Sequence, residues 1–217
     1  LPHDGNVQIL DLGCGPGSLA FHALQHYPNA YILAVDANSV LLAIGQQIPK
    51  KTTERLQFLE ADIRQPDWWM AYKDTFDLVL SATTLHWLSP EHLTQVYQNI
   101  YQVLKLGGWF LSSDHIASDN SETQAHYRQM LQKHQQTAFR ETGADDWDGF
   151  WQSLATELGK PDSQTLRGER NIWEGNDDGQ PRQFHINTLQ QCGFEKIEFY
   201  WQDLGEAVIG ARKPLAG

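Results

Sequence analysis

The stretch VQILDLGCGPGSLAFHAL, residues 7–24, decides the fold of this chain. An apolar run ends at Asp11, three glycines follow at positions 13, 15 and 17, and a helix-like segment comes next. Glycine loses more backbone freedom on folding than any other residue, so this spacing needs a reason. A strand, a glycine turn and a helix in this order present backbone N–H groups and a helix N-terminus to a ligand. The stretch therefore predicts the ligand-binding first unit of an α/β domain.

The composition of the chain favours one globular domain. Of the 217 residues, 41% are hydrophobic and 20% are charged, and neither a long apolar run nor a signal-peptide pattern occurs. We therefore expect a cytoplasmic protein without a membrane span. Cys14 and Cys192 are far apart in sequence, which favours reduced thiols over a disulfide and suggests no zinc site. Because the chain begins at Leu1, just before the first strand, we expect a preceding segment to be missing.

The net charge of −11 disfavours nucleic acid as a partner. A strongly acidic protein repels phosphate backbones at long range. The expected partner is therefore a small molecule, and the sequence does not indicate the oligomeric state.

Short apolar runs alternate with amphipathic segments in the first half, as in a parallel sheet with helices on both faces. The predicted strands are Gln8–Asp11, Tyr31–Asp36, Leu56–Glu60, Phe76–Ser81 and Trp109–Ser113, followed near the end by Lys196–Trp201 and Ala207–Ala211. Ser89 and Pro90 have the residue types of an N-cap and a first helical position, so a helix is expected after them. Residues 114–182 lack the strand pattern and are predicted to form a helical cap inserted after the fifth strand. We expect a second helix near Asn187–Cys192.

Two common ligands of glycine turns fit poorly. A nucleoside triphosphate loop needs Gly-Lys-Ser/Thr after the turn, whereas Ser18 and Leu19 follow Gly17. In a dinucleotide fingerprint the third glycine would stand at position 18, one place beyond Gly17.

The segment LDLGCGPG, Leu10–Gly17, resembles the first motif of the class I methyltransferases that use S-adenosylmethionine. The resemblance implies that Gly13 and Gly15 leave room for the methionyl end of the cofactor. It also implies that Asp11 helps to organise the groups that hold the cofactor's ammonium. S-adenosylhomocysteine is then the expected product.

Later motifs extend this resemblance over nearly the whole chain. It implies that Asp36 binds the ribose hydroxyls, that Asp62 of EADI meets the adenine amino group, and that Ile63 offers its N–H to the ring. The segments FDLVLSATTLHWL, Phe76–Leu88, and LKLGGWFL, Leu104–Leu111, are similar to later motifs of the family. Further implied cofactor-binding positions are Cys14, Ala37, Ser81 and Thr83. The implied fold is a single Rossmann-like domain over residues 1–217, with a seven-stranded, mostly parallel sheet in the order 3-2-1-4-5-7-6.

The candidate catalytic residues are His86 and His115. Both follow sheet strands at the edge where cofactor and acceptor should meet, and each is weighed as a general base against a packing role. His22 and His26 are four residues apart on a helix, but no third ligand accompanies them, so we expect an exposed polar face and no metal. Methyl transfer needs a base only when the acceptor atom carries a proton.

Side chains of the cap are candidates for binding the acceptor. A small carboxylic acid is the predicted acceptor, held by one of five arginines: Arg128, Arg140, Arg167, Arg170 and Arg182. The aromatic residues that could line its pocket or only pack are Trp147, Phe150, Trp151 and Trp173, while Trp68 or Trp69 could wall the adenine site. Two alternatives stay open: a cofactor-binding module without transfer activity, and an enzyme that uses or makes a modified S-adenosylmethionine.

Overall fold

The computed structural model describes residues 5–47, 54–167, 175 and 177–215. Arg170 and Trp173 lie outside these described residues. The strands are β1 Gln8–Leu12, β2 Tyr31–Asp36, β3 Leu56–Glu60, β4 Phe76–Ala82, β5 Leu104–Ala117, β6 Gln180–Pro181, β7 Glu195–Asp203 and β8 Glu206–Arg212. The helices are α1 Ser18–His26, α2 Ser39–Gln46, α3 Pro90–Val103, α4 Ser121–Thr142, α5 Trp147–Glu157, α6 Gln164–Arg167 and α7 Arg182–Gln191. Two 3₁₀ turns, Met70–Tyr72 and Leu85–Trp87, follow β3 and β4.

The strands form a mixed sheet in the order β3-β2-β1-β4-β5-β8-β7, and the two-residue β6 pairs with β5. β1 to β5 are parallel, whereas β8 is antiparallel to both β5 and β7. Since β7 and β8 are the sixth and seventh predicted strands, the predicted α/β fold and strand order are confirmed. The carboxyl ends of the parallel strands therefore share one edge of the sheet.

The fifth strand is longer than the sequence predicts. β5 runs from Leu104 to Ala117 instead of Trp109 to Ser113. It pairs with β8 as far as His115 and then with β6 at Ile116 and Ala117, so pairing partners distant in sequence extend it. The first four residues of the predicted cap, 114–117, thus belong to the sheet, and α7 begins at the last cap residue, Arg182.

Alternate residues of the strands pack on opposite faces of the sheet. In β1, Leu10 and Leu12 join one apolar cluster, whereas Ile9 joins the cluster on the other side. Helix α3 lies against the first cluster and begins as predicted, with the Ser89 hydroxyl accepting the His92 N–H at 3.2 Å and Pro90 in the first turn. Both faces near the centre of the sheet are therefore buried.

Helices α5 and α6 are attached to α2 beside the carboxyl edge of the sheet. A third apolar cluster joins Leu41 of α2 to Trp151, Ala155 and Leu166. The Asn38 amide group donates to the carbonyls of residues 166 and 167 at 3.4 and 3.2 Å. This part of the predicted cap thus packs next to the residue that ends β2.

Within the described ranges, no helix is both long and apolar enough to cross a bilayer. These ranges also contain no group of three or more His, Cys, Asp or Glu side chains placed to bind a metal ion. Both cysteines are thiols; burial raises the pKa of Cys192 to about 11, so this thiol is protonated at neutral pH.

Asn38 provides a test of how the cap is attached. Its Oδ1 accepts the N–H groups of Val40 and Leu41, which caps α2, while its amide group binds α6. We expect Asn38→Ala to lower the free energy of unfolding by about 1 kcal/mol through loss of the cap. Asn38→Ser keeps a capping oxygen, so it should restore most of that stability yet leave residues 163–167 exchanging faster than in the wild type. Wild-type hydrogen exchange of 163–167 in both variants would contradict this attachment.

Candidate active site

The glycine turn is bound to the end of β2. The N–H groups of Gly13 and Cys14 both donate to the Val35 carbonyl, at 2.8 and 3.0 Å. The Gly15 N–H donates to Asp36 Oδ2 at 2.8 Å. Gly13, Gly15 and Gly17 all have positive φ angles, of 68°, 52° and 90°, which residues with a Cβ rarely adopt. The conformation of the turn alone thus explains why glycine occupies the three positions.

The space around the three glycines differs. A Cβ on Gly13 would lie 2.1 Å from Cγ2 of Thr84, so in this structure the missing side chain makes room for Thr84. A Cβ on Gly17 would approach the Phe58 ring to 3.0 Å. At Gly15 the nearest atom would be 3.9 Å away, so this position has open space. The proposal that glycine leaves room for a ligand therefore has its best support at Gly15.

Asp11 is a buried carboxyl group with an unused oxygen. It is 1% exposed, and its Oδ2 has no hydrogen-bond partner among the residues that the structure describes. Burial and, to a smaller extent, the nearby charge of Asp36 raise its pKa to about 7, against the lowering effect of the Ala20 N–H. Such an oxygen is costly unless a donor or a cation reaches it.

Asp36 lies at the carboxyl end of β2, where the resemblance expects the ribose acid. Its Oδ1 accepts the Asn38 N–H and its Oδ2 the Gly15 N–H, both at 2.8 Å. Burial raises the pKa of Asp36, and the N–H groups of Asn38, Gly15 and Ala37 lower it in part. The carboxylate is thus held in one orientation, and Ala37 contributes through its backbone.

Asp62 follows β3 beside a cavity of about 390 Å³, lined by Glu60, Ala61, Asp62, Arg64 and Gln65. The Ala61 N–H donates to the Asp36 carbonyl at 3.0 Å, which joins the ends of β2 and β3. Arg64 binds the Asp62 carboxylate through three nitrogen atoms. The expected adenine acid is therefore close to the expected ribose acid, in a cavity, and already paired.

Residues near the adenine position form a closed turn. The Trp68 indole Nε1 donates to the Ile63 carbonyl at 3.0 Å. Trp68 and Trp69 both pack against the core cluster that includes Ile63. Packing explains the position of Trp69, and packing together with this hydrogen bond explains that of Trp68, so a wall at the adenine site stays a prediction.

Ser81 and Thr83, which were expected to bind cofactor, have different surroundings. The Ser81 hydroxyl is buried and donates to the Leu12 carbonyl at 2.9 Å, so it joins β4 to β1. Thr83 is exposed, with a φ of 47°, and its N–H donates to the Ser113 carbonyl. The neighbouring Thr84 is the residue that touches the glycine turn, with its Oγ1 3.1 Å from the Gly13 carbonyl.

His86 forms a buried pair with Asp114. Its Nδ1 lies 2.6 Å from Asp114 Oδ1, and both side chains are 5% exposed. Burial alone would raise the pKa of Asp114, but the hydrogen bond and charge of His86 and the N–H groups of His115 and Leu85 lower it below its ordinary value. An ionised carboxylate can only accept at this contact, so Nδ1 of His86 carries the shared proton and Nε2 is the ring nitrogen left for another partner.

His115 lies over His86 but is bonded elsewhere. The two rings stack with centroids 4.4 Å apart, and His115 Nδ1 is 2.5 Å from the Asp177 carbonyl. Both candidate histidines thus belong to one cluster at the ends of β4 and β5, and the His86 ring is bonded to a carboxylate whereas the His115 ring is bonded to a backbone carbonyl. His22 and His26 are exposed on α1, away from this cluster.

Sequence reasoning missed Asp114 and Arg64. Asp114 was considered only as the start of the cap because β5 was predicted to end at Ser113. In an alternating strand, however, Asp114 faces the same side as buried Ser112 and Ile116, which could have revealed it. Arg64 follows Asp62 by two residues, a short spacing that carries no recognised motif.

The proposed carboxylate-binding arginines are mostly engaged. Arg128 pairs with Asp178, and Arg167 Nη2 lies 2.5 Å from Asp148 Oδ1. The Arg182 guanidinium lies 4.1 Å from the Phe199 ring centroid, and Arg140 is exposed. Within the described part of the chain, none of these four arginines forms a hydrogen bond or ion pair with His86 or His115.

The aromatic residues of the cap divide in two. Trp151 is buried in the cluster with Leu41, which is packing. Trp147 is 46% exposed and stacks on Phe150 with ring centroids 5.6 Å apart. Its ring centroid lies 6.5 Å from that of Trp87, the residue next to His86. Trp147 and Phe150 therefore remain candidates for contacting an acceptor.

The first half of the chain is similar to known methyltransferases. Residues 9–108 match the family model described as "Methyltransferase domain". The chain is 30% identical over 108 residues to a malonyl-[acyl-carrier protein] O-methyltransferase of Bacillus cereus, and 31% identical over 110 residues to a trans-aconitate 2-methyltransferase of Deinococcus radiodurans. Each match includes 50% of this chain but only 37% and 38% of those relatives. A human tRNA N(3)-cytidine methyltransferase is 29% identical over 119 residues, which are 54% of this chain and 42% of that protein.

The fold likeness extends over the whole chain. The crystal structure of human N-acetylserotonin methyltransferase in complex with S-adenosylmethionine superposes with a TM-score of 0.58 and 20% identity, covering 95% of this chain and 47% of that one. At this identity the likeness shows the fold alone. Together with the family match, it confirms the predicted class I domain and S-adenosylmethionine as the cofactor of such domains.

The residues of the site fit this cofactor. The bare buried oxygen of Asp11 needs a donor, Gly15 leaves space, and Asp36 and Asp62 lie on adjacent strand ends beside a cavity. These groups match an ammonium, a ribose diol and an adenine in the order that the resemblance implies.

Gly13 and Gly143 form a matched pair for testing the turn. Both have a φ of 68°, but a Cβ on Gly143 meets no atom within 4 Å. We expect Gly143→Ala to cost about 1–2 kcal/mol for the left-handed backbone. Gly13→Ala should cost roughly 1–3 kcal/mol more, because it also overlaps Thr84. Denaturant unfolding of both variants measures this, and equal losses would show that Thr84 does not confine the turn.

The raised pKa of Asp11 predicts a pH-dependent stability. Between about pH 4 and pH 7 the folded protein keeps a proton on Asp11 that the unfolded chain has released, so the contribution of Asp11 to stability should fall as the pH rises through this range and then level off. This fall amounts to roughly 4 kcal/mol at most. His185, whose pKa burial lowers to about 4, contributes in the opposite direction. Relative to the wild type, Asp11→Asn should therefore become more stable as the pH rises, in urea unfolding measured from pH 4 to pH 8. An unchanged slope of stability against pH would assign the proton uptake to another group, such as Asp36.

Proposed function

With residues 9–108 belonging to the class I S-adenosylmethionine-dependent methyltransferases, we propose that this chain transfers a methyl group to a small molecule, with His86 as the general base. The observation that carries the proposal is the buried His86–Asp114 pair, which the Thr84–Gly13 contact places next to the glycine turn. We also propose a single domain in which most of residues 114–182 form the cap, and a cytoplasmic location.

The residues of the chain divide the work as follows. S-adenosylmethionine, when bound, supplies an electrophilic methyl group on a sulfonium. The turn and Asp36 orient the cofactor, which supports catalysis because positioning alone can contribute roughly 7–11 kcal/mol. Asp114 fixes the tautomer and orientation of His86, so that Nε2 can take a proton from the acceptor. His115 packs on the His86 ring and restricts its rotation.

Proposed cofactor contacts follow the geometry. Asp11, Gly13, Cys14 and Gly15 line the methionyl end, with Asp11 accepting from the ammonium. Asp36 and Ala37 hold the ribose, and Asp62 and Ile63 meet the adenine. Ser81 and Thr83 act by shaping the turn that carries Thr84, since their polar groups bind other strands.

A hydroxyl or an amine is the acceptor that this geometry supports best, because only a protonated atom needs the base. A carboxylic acid is the second candidate, and the names of two relatives, acting on malonyl-acyl carrier protein and trans-aconitate, favour it. The four described arginines do not add to that support, since Arg128, Arg167 and Arg182 are engaged and Arg140 is exposed. One relative is named for tRNA, so the family alone does not decide the acceptor; the net charge of −11 favours a small molecule.

The test is a panel of small acids, alcohols and amines assayed for S-adenosylhomocysteine release. With a proton-bearing acceptor, His86→Ala should lower turnover roughly 10²–10⁴-fold, and Asp114→Asn should lower it in the same direction, while the affinity for S-adenosylhomocysteine stays unchanged. With a carboxylate acceptor, His86→Ala should change turnover only modestly. His22→Ala is the matched control, because this histidine is exposed on α1. If His86→Ala methylated a hydroxyl or amine acceptor as fast as the wild type does, His86 would not be the general base.

A further inference from the structure

An ion pair between two residues that are close in sequence lies at the expected adenine position. Asp62 Oδ1 accepts the backbone N–H and the Nε–H of Arg64, both at 3.0 Å, and Oδ2 accepts from Nη2 at 2.7 Å. Arg64 thus contacts both carboxylate oxygens in the bidentate geometry that a guanidinium favours.

This pair is shielded from water and anchored by its turn. The side chains of Arg64 and Asp62 are only 13% and 10% exposed. The Gln65 N–H donates to the Asp62 carbonyl at 2.9 Å, and Trp68 binds the next carbonyl, that of Ile63. Both the backbone and the side chain of Asp62 are therefore held, unlike those of an exposed surface pair.

The pair also borders the space where a purine would lie. Asp62 and Arg64 both line the cavity of about 390 Å³. The Ala61 N–H to Asp36 carbonyl bond fixes this cavity beside the proposed ribose acid.

We propose that Arg64 positions Asp62 for the exocyclic amino group of adenine and thereby makes the site selective for a 6-aminopurine. The inference rests on the proposed function, because it assigns the cavity to the adenosyl end of the cofactor. A carboxylate of fixed direction accepts from a 6-amino group and repels a 6-oxo group, so its orientation governs the selectivity.

In the alternative arrangement, adenine would displace the Arg64 side chain from the Asp62 carboxylate. It would leave a largely buried guanidinium without its carboxylate, which is strongly unfavourable. It would also have to overcome the backbone N–H of Arg64, which donates to Oδ1 from within the same turn. Positioning requires neither loss.

Calorimetric titration with S-adenosylhomocysteine and with its 6-oxo analogue, S-inosylhomocysteine, tests the proposal. The wild type should bind the adenine compound at least about tenfold more tightly. Arg64→Met should weaken binding of S-adenosylhomocysteine about tenfold and change binding of the 6-oxo compound little, so the preference shrinks. Arg64→Lys, which keeps a charge but not the bidentate geometry, should lie in between.

The control is Lys105→Met, which removes an ion pair with Asp77 where β4 and β5 begin, at the opposite edge of the sheet. It should leave both affinities and their ratio unchanged. Tighter binding of S-adenosylhomocysteine by Arg64→Met would overturn the proposal in favour of displacement, and so would an unchanged preference. Absence of S-adenosylhomocysteine binding by the wild type would instead overturn the proposed function itself.

Discussion

The site depends on a double hydrogen bond at the end of β2. One carbonyl, that of Val35, accepts the N–H groups of both Gly13 and Cys14, and the adjacent Asp36 side chain accepts that of Gly15. Three consecutive N–H groups thus bind one strand end, which forces the chain to turn at the sheet edge before α1 begins. The positive φ angles at the glycines follow from this constraint. The hydrogen bond from Gly15 that helps to shape the turn also orients Asp36, the proposed ribose acid.

The turn is connected to the proposed catalytic histidine by one further contact. Thr84 fills the space above Gly13, and its single hydroxyl proton lies within reach of two carbonyls, that of Ala82 at 2.9 Å and that of Gly13 at 3.1 Å. Asp114 accepts hydrogen bonds from the backbone N–H groups that follow in this loop, including that of Leu85 at 2.7 Å, and from the ring of His86. The loop after β4 is therefore held from the turn on one side and from β5 on the other. This explains why cofactor and acceptor groups are close although they come from different strands.

Much of this arrangement was predictable from the sequence, because strands buried on both faces are apolar runs and because the glycine spacing is specific. The strands were expected for these reasons, and the sheet order and the acids Asp36 and Asp62 at the strand ends were expected from the family resemblance that begins at the glycine turn. Contacts between residues distant in sequence were not predictable: β8 and β6 extend β5 past Ser113, so Asp114 became part of the sheet. Likewise, nothing in the spacing of Gly13 indicated that Thr84 would occupy the space beside it. The strands and the glycine turn of the first half follow from local sequence patterns. The positions of the residues near the proposed acceptor depend instead on tertiary packing.

Hydrogen-bond saturation separates the roles of the buried acids. Asp114 accepts from the His86 ring and from the N–H groups of Leu85 and His115, so its charge is satisfied by its own chain and its pKa is lowered. Asp11 keeps one oxygen bare in a nearly dry environment, next to a second acid, and its pKa is raised. A carboxylate that is fully bonded within the fold can orient a neighbour but offers little to a ligand, whereas a bare one destabilises the empty fold and is relieved by a cation. Unsatisfied groups of this kind concentrate where a protein binds its ligand. The contrast therefore supports the proposed roles of Asp114 in holding His86 and of Asp11 in binding a positively charged group.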